Sequence, residues 1–232
     1  MTDEIWKELP FTEGYVTGIV YANHAYGGAD LLIRSKVLKN VINNPPRNKV
    51  NNNPCDKLIV VTSVPRVQVR KIIENDNSER KNDNSKHAPS IDIYCTSIGG
   101  QTSPETISIS DSKIRISEYL AKLPEPGHYK WPGFIDEVYR DTNKIFGIFI
   151  DTSDFIGLSN FDSINYMKHT LKSICGNQNK VYGAIGVPDR ILPIEQELNL
   201  LSGTIIYEAR FDGKDLIFNR PNFSSPIEVS KV

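Results

Sequence analysis

Two carboxylates, Asp151 and Asp154, stand at the end of an apolar run and flank Thr152 and Ser153. Paired carboxylates so placed can hold a divalent cation or divide the acid and base roles of a hydrolysis. Asp and Ser are also ordinary turn residues, which explains the same letters without chemistry. The four histidines, His24, His87, His128 and His169, fall in different segments with no ligand spacing. Solvated imidazoles account for them better than a metal centre does. Cys95 and Cys175 have no histidine near them in sequence to act as a base, so neither reads as a nucleophile. No GxxxxGK(S/T) phosphate loop, GxGxxG turn, HExxH helix or GxSxG elbow occurs. These residues predict a protein that is not an enzyme, holds no metal and requires no cofactor.

Composition narrows the partners. The 27 basic and 28 acidic side chains nearly cancel, leaving a formal charge of -1. Specific nucleic-acid binding calls for a basic excess or stripe, and the clusters Arg66/Arg70/Lys71 and Arg80/Lys81 sit among acids. A charge near zero gives little colloidal repulsion and favours self-association. Cys55, Cys95 and Cys175 are odd in number and lack a CxxC spacing, which predicts reduced thiols in a cytoplasmic setting. No apolar run approaches the roughly 20 residues of a membrane span, so no membrane partner is expected.

The elements that would carry these residues read as mostly strands. Residues 1–10 predict a short helical arm with Thr2 as its cap, ended by Pro10, and Trp6 is its candidate assembly anchor. Residues 15–21 predict a strand, and Ala29–Arg34 its hairpin partner after Gly27-Gly28. Lys57–Thr62 predicts a buried strand, continued in extended form through Val67, Val69 and Ile72. Further strands are expected at 90–95, 105–110, 144–151 and 181–187, with a hairpin at 204–218 turning through Asp212-Gly213. Helices are expected at 117–123, at 193–201 and at 163–175, the last carrying Ile164, Met167, Leu171 and Ile174 at helical spacing. The stretch 75–105 opens on polar residues and reads as a loop insertion. Strands that do not alternate regularly with helices predict one domain over 11–232. Its expected form is mainly β, an antiparallel β-sandwich with peripheral helices and a short N-terminal helical arm.

Several segments, taken in order, resemble the polyhedrins of cypoviruses, the occlusion-body proteins of insect reoviruses. They are Gly14–Ala22 with Gly28 and Leu31–Ile33, then Leu58–Ile72, Glu118–Leu120 and Val138–Gly147, together with the helix at 163–175. The resemblance implies a homotrimer packed into crystals in the cytoplasm of an infected cell. Those crystals would embed virus particles, dissolve at alkaline pH and in some members hold a nucleotide, whose site these residues do not locate. Ten tyrosines and seventeen lysines supply a physical trigger, since both types titrate near pH 10 to 10.5, roughly the range of such release. Tyr15, Tyr21, Tyr26, Tyr129 and Tyr139 are the candidate alkali sensors. Two other readings stay open: a small-ligand or nucleotide-binding β/α module with its ligand near 151–160, and a metal-assisted hydrolase using Asp151 and Asp154.

Overall fold

A computed structural model describes residues 5–21, 29–62, 64–76, 88–97, 104–109, 112–120, 134–151, 169–176, 180–188, 205–212 and 215–220. Ten strands are described: β1 (Ile5–Trp6), β2 (Val16–Tyr21), β3 (Lys57–Thr62), β4 (Ser90–Ser97), β5 (Glu105–Ile109), β6 (Ser112–Leu120), β7 (Phe146–Asp151), β8 (Val181–Pro188), β9 (Ile205–Asp212) and β10 (Asp215–Asn219). They form one sheet in the order β1-β10-β9-β2-β8-β7-β3-β4-β6-β5. From β9 to β6 every neighbouring pair is parallel. Only the margins, β1 and β10 on one side and β5 on the other, run antiparallel.

Parallel strands need crossovers, and helices supply them. Helix α1 (Ala29–Asn43) follows β2, α2 (Arg66–Asp76) follows β3, and α3 (Phe134–Arg140) precedes β7. A helical segment at 169–176 precedes β8. Ile33, Val37, Leu38, Val41 and Ile42 of α1 and Val69 and Ile73 of α2 are buried with Ile19, Leu58, Val60, Ile91, Ile93 and Phe149. Val138 of α3 and Leu171, Ile174 and Cys175 of 169–176 are buried with Ile59, Val61, Ile148, Ile150 and Ile185. Successive residues of β3 and β7 therefore enter opposite cores. A strand buried on both faces reads as a continuous apolar run, as Lys57–Thr62 does.

This architecture corrects the expected antiparallel β-sandwich. The chain is an α/β protein with a mostly parallel sheet covered on both faces. Ala29–Arg34 is the first part of α1, not a hairpin partner, and its apolar residues continue at helical spacing through Ile42. Pro65 starts a helix rather than continuing β3: its carbonyl accepts from the amides of Gln68 at 2.8 Å and Val69 at 3.0 Å. Segment 117–120 lies in β6, whose Ile114 and Ile116 are buried while Lys113 and Arg115 are exposed. Ile5 and Trp6 form a strand against β10 instead of a helical arm. Trp6 is 41% exposed. The arm is fixed just beyond it, where the Leu9 amide donates to Asn40 Oδ1 at 3.0 Å and Asn40 Nδ2 donates to the Lys7 carbonyl at 2.9 Å.

The polyhedrin resemblance falls with the sandwich. Its weightiest segment, Leu58–Ile72, is a parallel strand followed by a helix. The crystalline matrix function drawn from it is overturned as well. The expected strands at 57–62, 90–95, 105–110, 144–151 and 181–187 and the 204–218 hairpin do match β3, β4, β5, β7, β8 and the β9–β10 pair, in which Asp212 faces Asp215. Residues 163–168 and the helix expected at 193–201 lie outside the described residues, as do 77–87 of the polar stretch. Leu171 and Ile174 occupy the core as their spacing predicts.

The core makes the fold sensitive to alkali. Cys55, Cys95 and Cys175 are free and buried, and burial pushes each thiol up from 9.0 to about 12. Below pH 9 folded and unfolded chains both keep these protons, and the stabilisation is complete. Between pH 9 and 12 the unfolded chain releases protons that the folded chain holds, so stability falls as pH rises. Burial also raises the phenols of Tyr94 and Tyr182, which adds in the same direction. Urea midpoints measured at pH 6.5, 7.5 and 10.5 are expected to be equal at the first two and clearly lower at the third. A midpoint unchanged at pH 10.5 would contradict this reading.

Candidate functional site

Side chains on alternate positions of parallel strands line up across a sheet. On the face covered by α1 and α2, one such row runs along the carboxyl ends of the strands. Gly186 of β8 faces Asp151 of β7. Ile150 of β7 faces Val61 of β3, which brings Thr62 beside Asp151. Thr62 faces Cys95 of β4, and Cys95 faces Glu118 of β6. The phenol of Tyr21, from the end of β2, reaches across to Gly186. A methyl group at Gly186 would overlap the Tyr21 hydroxyl and come within 2.5 Å of its Cζ. Tyr21, Asp151 and Thr62 are all buried, at 2%, 1% and 0% exposure.

Helix α2 begins just beyond the end of β3, beside the row, while α1 follows β2 and packs over β2, β9 and β10. Helix starts present unsatisfied amides and the positive end of the dipole. Thr62 shapes the start of α2, since its Oγ1 accepts from the Val64 amide at 3.1 Å. Arg66, the first residue of α2, is tied down by Glu105 at 3.2 Å and Glu118 at 3.8 Å. Glu105 also meets Arg70 at 3.5 Å, and Arg70 pairs with Glu74 at 2.8 Å. These pairs lock the front of α2 to β5 and β6.

The crossovers make this end of the sheet distinctive. From β3 the chain passes through α2, on one face, to β4. From the adjacent β7 it passes through the segment 169–176, on the other face, to β8. Neighbouring strands whose connections leave on opposite faces define a topological switch point, and ligands of open α/β sheets bind in the crevice outside it. Thr62 and Asp151 end the two strands that flank that crevice.

The opposite end of the sheet holds a different polar cluster. Lys57 Nζ meets Asp92 at 2.8 Å and Glu137 at 2.6 Å. Burial lowers the Lys57 ammonium's pKa, but hydrogen bonds and charge from Asp92 and Glu137 outweigh it and leave the value raised. The cluster joins α3 to β3 and β4 at the amino end of β3, away from the switch point.

Of the residues marked from sequence, Asp151 lies in the row and Asp154 lies outside the described residues. Tyr21 is in the row, whereas Tyr15 and Tyr139 are on the surface at 59% and 47% exposure. Tyr26 and Tyr129 lie outside the described residues, as do His24, His87 and His128. Among the described residues, no group of three or more His, Cys, Asp or Glu side chains is placed to hold a metal ion. Sequence reasoning missed Thr62, Gly186, Arg66 and Glu118. The signal for Thr62 was a polar residue closing an apolar run just before Pro65. Gly186 carried none, because its meaning comes from a ring supplied by another strand.

No family model matches the chain, and no curated protein matches it. Among solved structures it is similar to a protein of Pyrococcus horikoshii OT3, described only as the subject of a structural study, at 11% identity and a TM-score of 0.45. The match covers 85% of this chain and 83% of that one.

Proposed function

We propose that the chain is a ligand-binding α/β module whose ligand carries phosphate, a nucleotide being the class that fits best, and that it binds without turnover. The observation that carries this is the β3/β7 switch point, where two strand ends bearing buried polar residues lie at the start of α2. Helix starts favour phosphate through their free amides and dipole. Helix α1 follows strand β2 in chain order, as a helix follows a strand in phosphate-binding turns, and the sequence between them ends in Gly27-Gly28.

The same sequence supports binding rather than catalysis. With Gly27 as the second glycine of a phosphate loop, Ala22 replaces the first. Gly28 and Ala29 then stand where lysine and a hydroxyl residue would be needed. That lysine reaches the terminal phosphates, and that hydroxyl holds magnesium. Neither contribution to phosphoryl transfer is present.

A thermal-shift panel of ATP, ADP, GTP, GDP and inorganic phosphate tests the proposal. A nucleotide at a hundred times its Kd is expected to raise Tm by roughly 5 to 10 °C for a chain of this size. Phosphate alone should do less, and no nucleotide should be consumed. A flat response across the panel would remove the proposal, and released phosphate would remove its second half.

A further inference from the structure

Strand–loop–helix phosphate sites ordinarily bind their nucleotide together with magnesium, held by the loop hydroxyl and by an aspartate closing a nearby strand. Asp151 also closes a strand of this sheet, so the described residues around it can be tested against that ion. They do not fit it. We infer that Tyr21 closes this site to divalent cations, so that the ligand binds there as the metal-free anion. The inference rests on the proposed function for the ligand but concerns the wall of the site in its own right.

Gly186 and Asp151 are paired across β8 and β7, and their side-chain positions share the α1/α2 face. Adjacent strands are about 4.8 Å apart, so a group above Gly186 lies beside the Asp151 carboxylate. The end of the Tyr21 ring occupies that space, so close that only glycine fits beneath it.

Magnesium bound through one carboxylate keeps several waters in an octahedral shell at roughly 2.0 to 2.1 Å. Such a shell needs open polar space around the carboxylate, and Asp151 is 1% exposed. On the other side stands Thr62, whose hydroxyl oxygen already accepts from the Val64 amide. Beyond it the row continues with Cys95, a thiol that burial keeps protonated, its value pushed up to about 12. The next carboxylate along the row, Glu118, faces Arg66. Among the described residues of the row, none supplies a second charged oxygen to a cation at Asp151. Glycine at 186 is thus explained by the tyrosine it accommodates, and the tyrosine by the cation it keeps out.

Manganese, a paramagnetic stand-in for magnesium, provides the test. The wild-type protein at 0.2 mM is titrated with Mn2+ and the free ion is read by electron paramagnetic resonance. No depletion of free Mn2+ up to 1 mM is expected, whereas one site per chain, abolished by Asp151→Asn, would overturn the inference. Tyr21→Ala opens space beside Asp151 and should gain a Mn2+ site that Tyr21→Ala/Asp151→Asn lacks. A correctly folded Tyr21→Ala protein that binds no Mn2+ would show that the tyrosine is not the barrier.

If Tyr21→Ala fails to fold, Tyr21→Leu, which also clears the space beside Asp151, takes its place with the same two outcomes. The nucleotide-induced Tm shift is measured in parallel with 5 mM EDTA and with 5 mM Mg2+. Equal shifts support the inference, and a shift that requires Mg2+ overturns it. Absence of any shift in both buffers would refute the nucleotide reading while leaving the manganese result to judge the closed wall.

Discussion

Replacing Gly186 by alanine is expected to cost about 3 kcal/mol of stability, near the upper end for overfilling a close-packed interior. For a chain of this size that is a fall in Tm of roughly 6 to 12 °C. The added methyl group has nowhere to go. It overlaps the Tyr21 hydroxyl and lies 2.5 Å from Cζ, inside a region where Tyr21 is only 2% exposed. The ring cannot withdraw toward the core, since Ile19, Ala184 and Phe149 are buried in the same cluster. Pairing the change with Tyr21→Leu removes the overlap, so the double variant should be more stable than the two separate costs predict. A coupling of at least about 1 kcal/mol is expected from such a contact. Additive losses in urea unfolding would mean that the tyrosine does not lie over Gly186.

Lys57→Met is the second large effect, at about 2 to 3 kcal/mol. The ammonium lies between Asp92 and Glu137, and its removal leaves two neighbouring carboxylates facing each other without a counter-charge. Breaking a fully buried pair in this way costs roughly 3 to 5 kcal/mol. The smaller figure follows from partial solvent access, since the Glu137 side chain is 34% exposed. Glu137→Gln keeps the Lys57–Asp92 contact and should cost less than about 1 kcal/mol.

The Lys57 pKa is raised above its ordinary 10.5 in the folded protein. Its contribution is therefore complete below that value and is lost as pH climbs through the raised one. The stability gap between wild type and Lys57→Met should be constant from pH 7 to 9 and narrow above pH 10.5. A gap that widened at high pH would contradict the ion-pair account.

Local signals and non-local pairings were unequally legible in the sequence. The apolar runs at 57–62 and 144–151 and the Asp212-Gly213 turn announce strands because each signal lies within a few residues. Helix α1 is hidden in the sequence because Leu31, Leu32 and Ile33 form a short apolar run that fits either structure. Only the longer series through Ile42 shows the helical period. Val67 and Val69 misled in the same way: Val67 is 69% exposed on α2 while Val69 is buried, an asymmetry that two letters cannot convey.

Parallel pairing was invisible, since β2 lies between β8 and β9, more than 150 residues away along the chain. Once α1 and α2 are read as strands, an antiparallel sandwich follows, and the family resemblance reinforced that error. Asp151 was legible as a candidate because a carboxylate closing an apolar run is conspicuous. Its companions were not, because Thr62, Gly186 and Tyr21 meet it only through the register of four strands.

Hydrogen exchange read by mass spectrometry tests the location of the ligand site most directly. Peptides are compared with and without the nucleotide that raises Tm most. Binding at the switch point predicts slower exchange in peptides covering Thr62–Gln68, Phe149–Asp151 and the first turn of α1, with β5 and the Lys57–Glu137 end of the sheet unchanged. Protection centred on that opposite end, or on β5, would contradict the account.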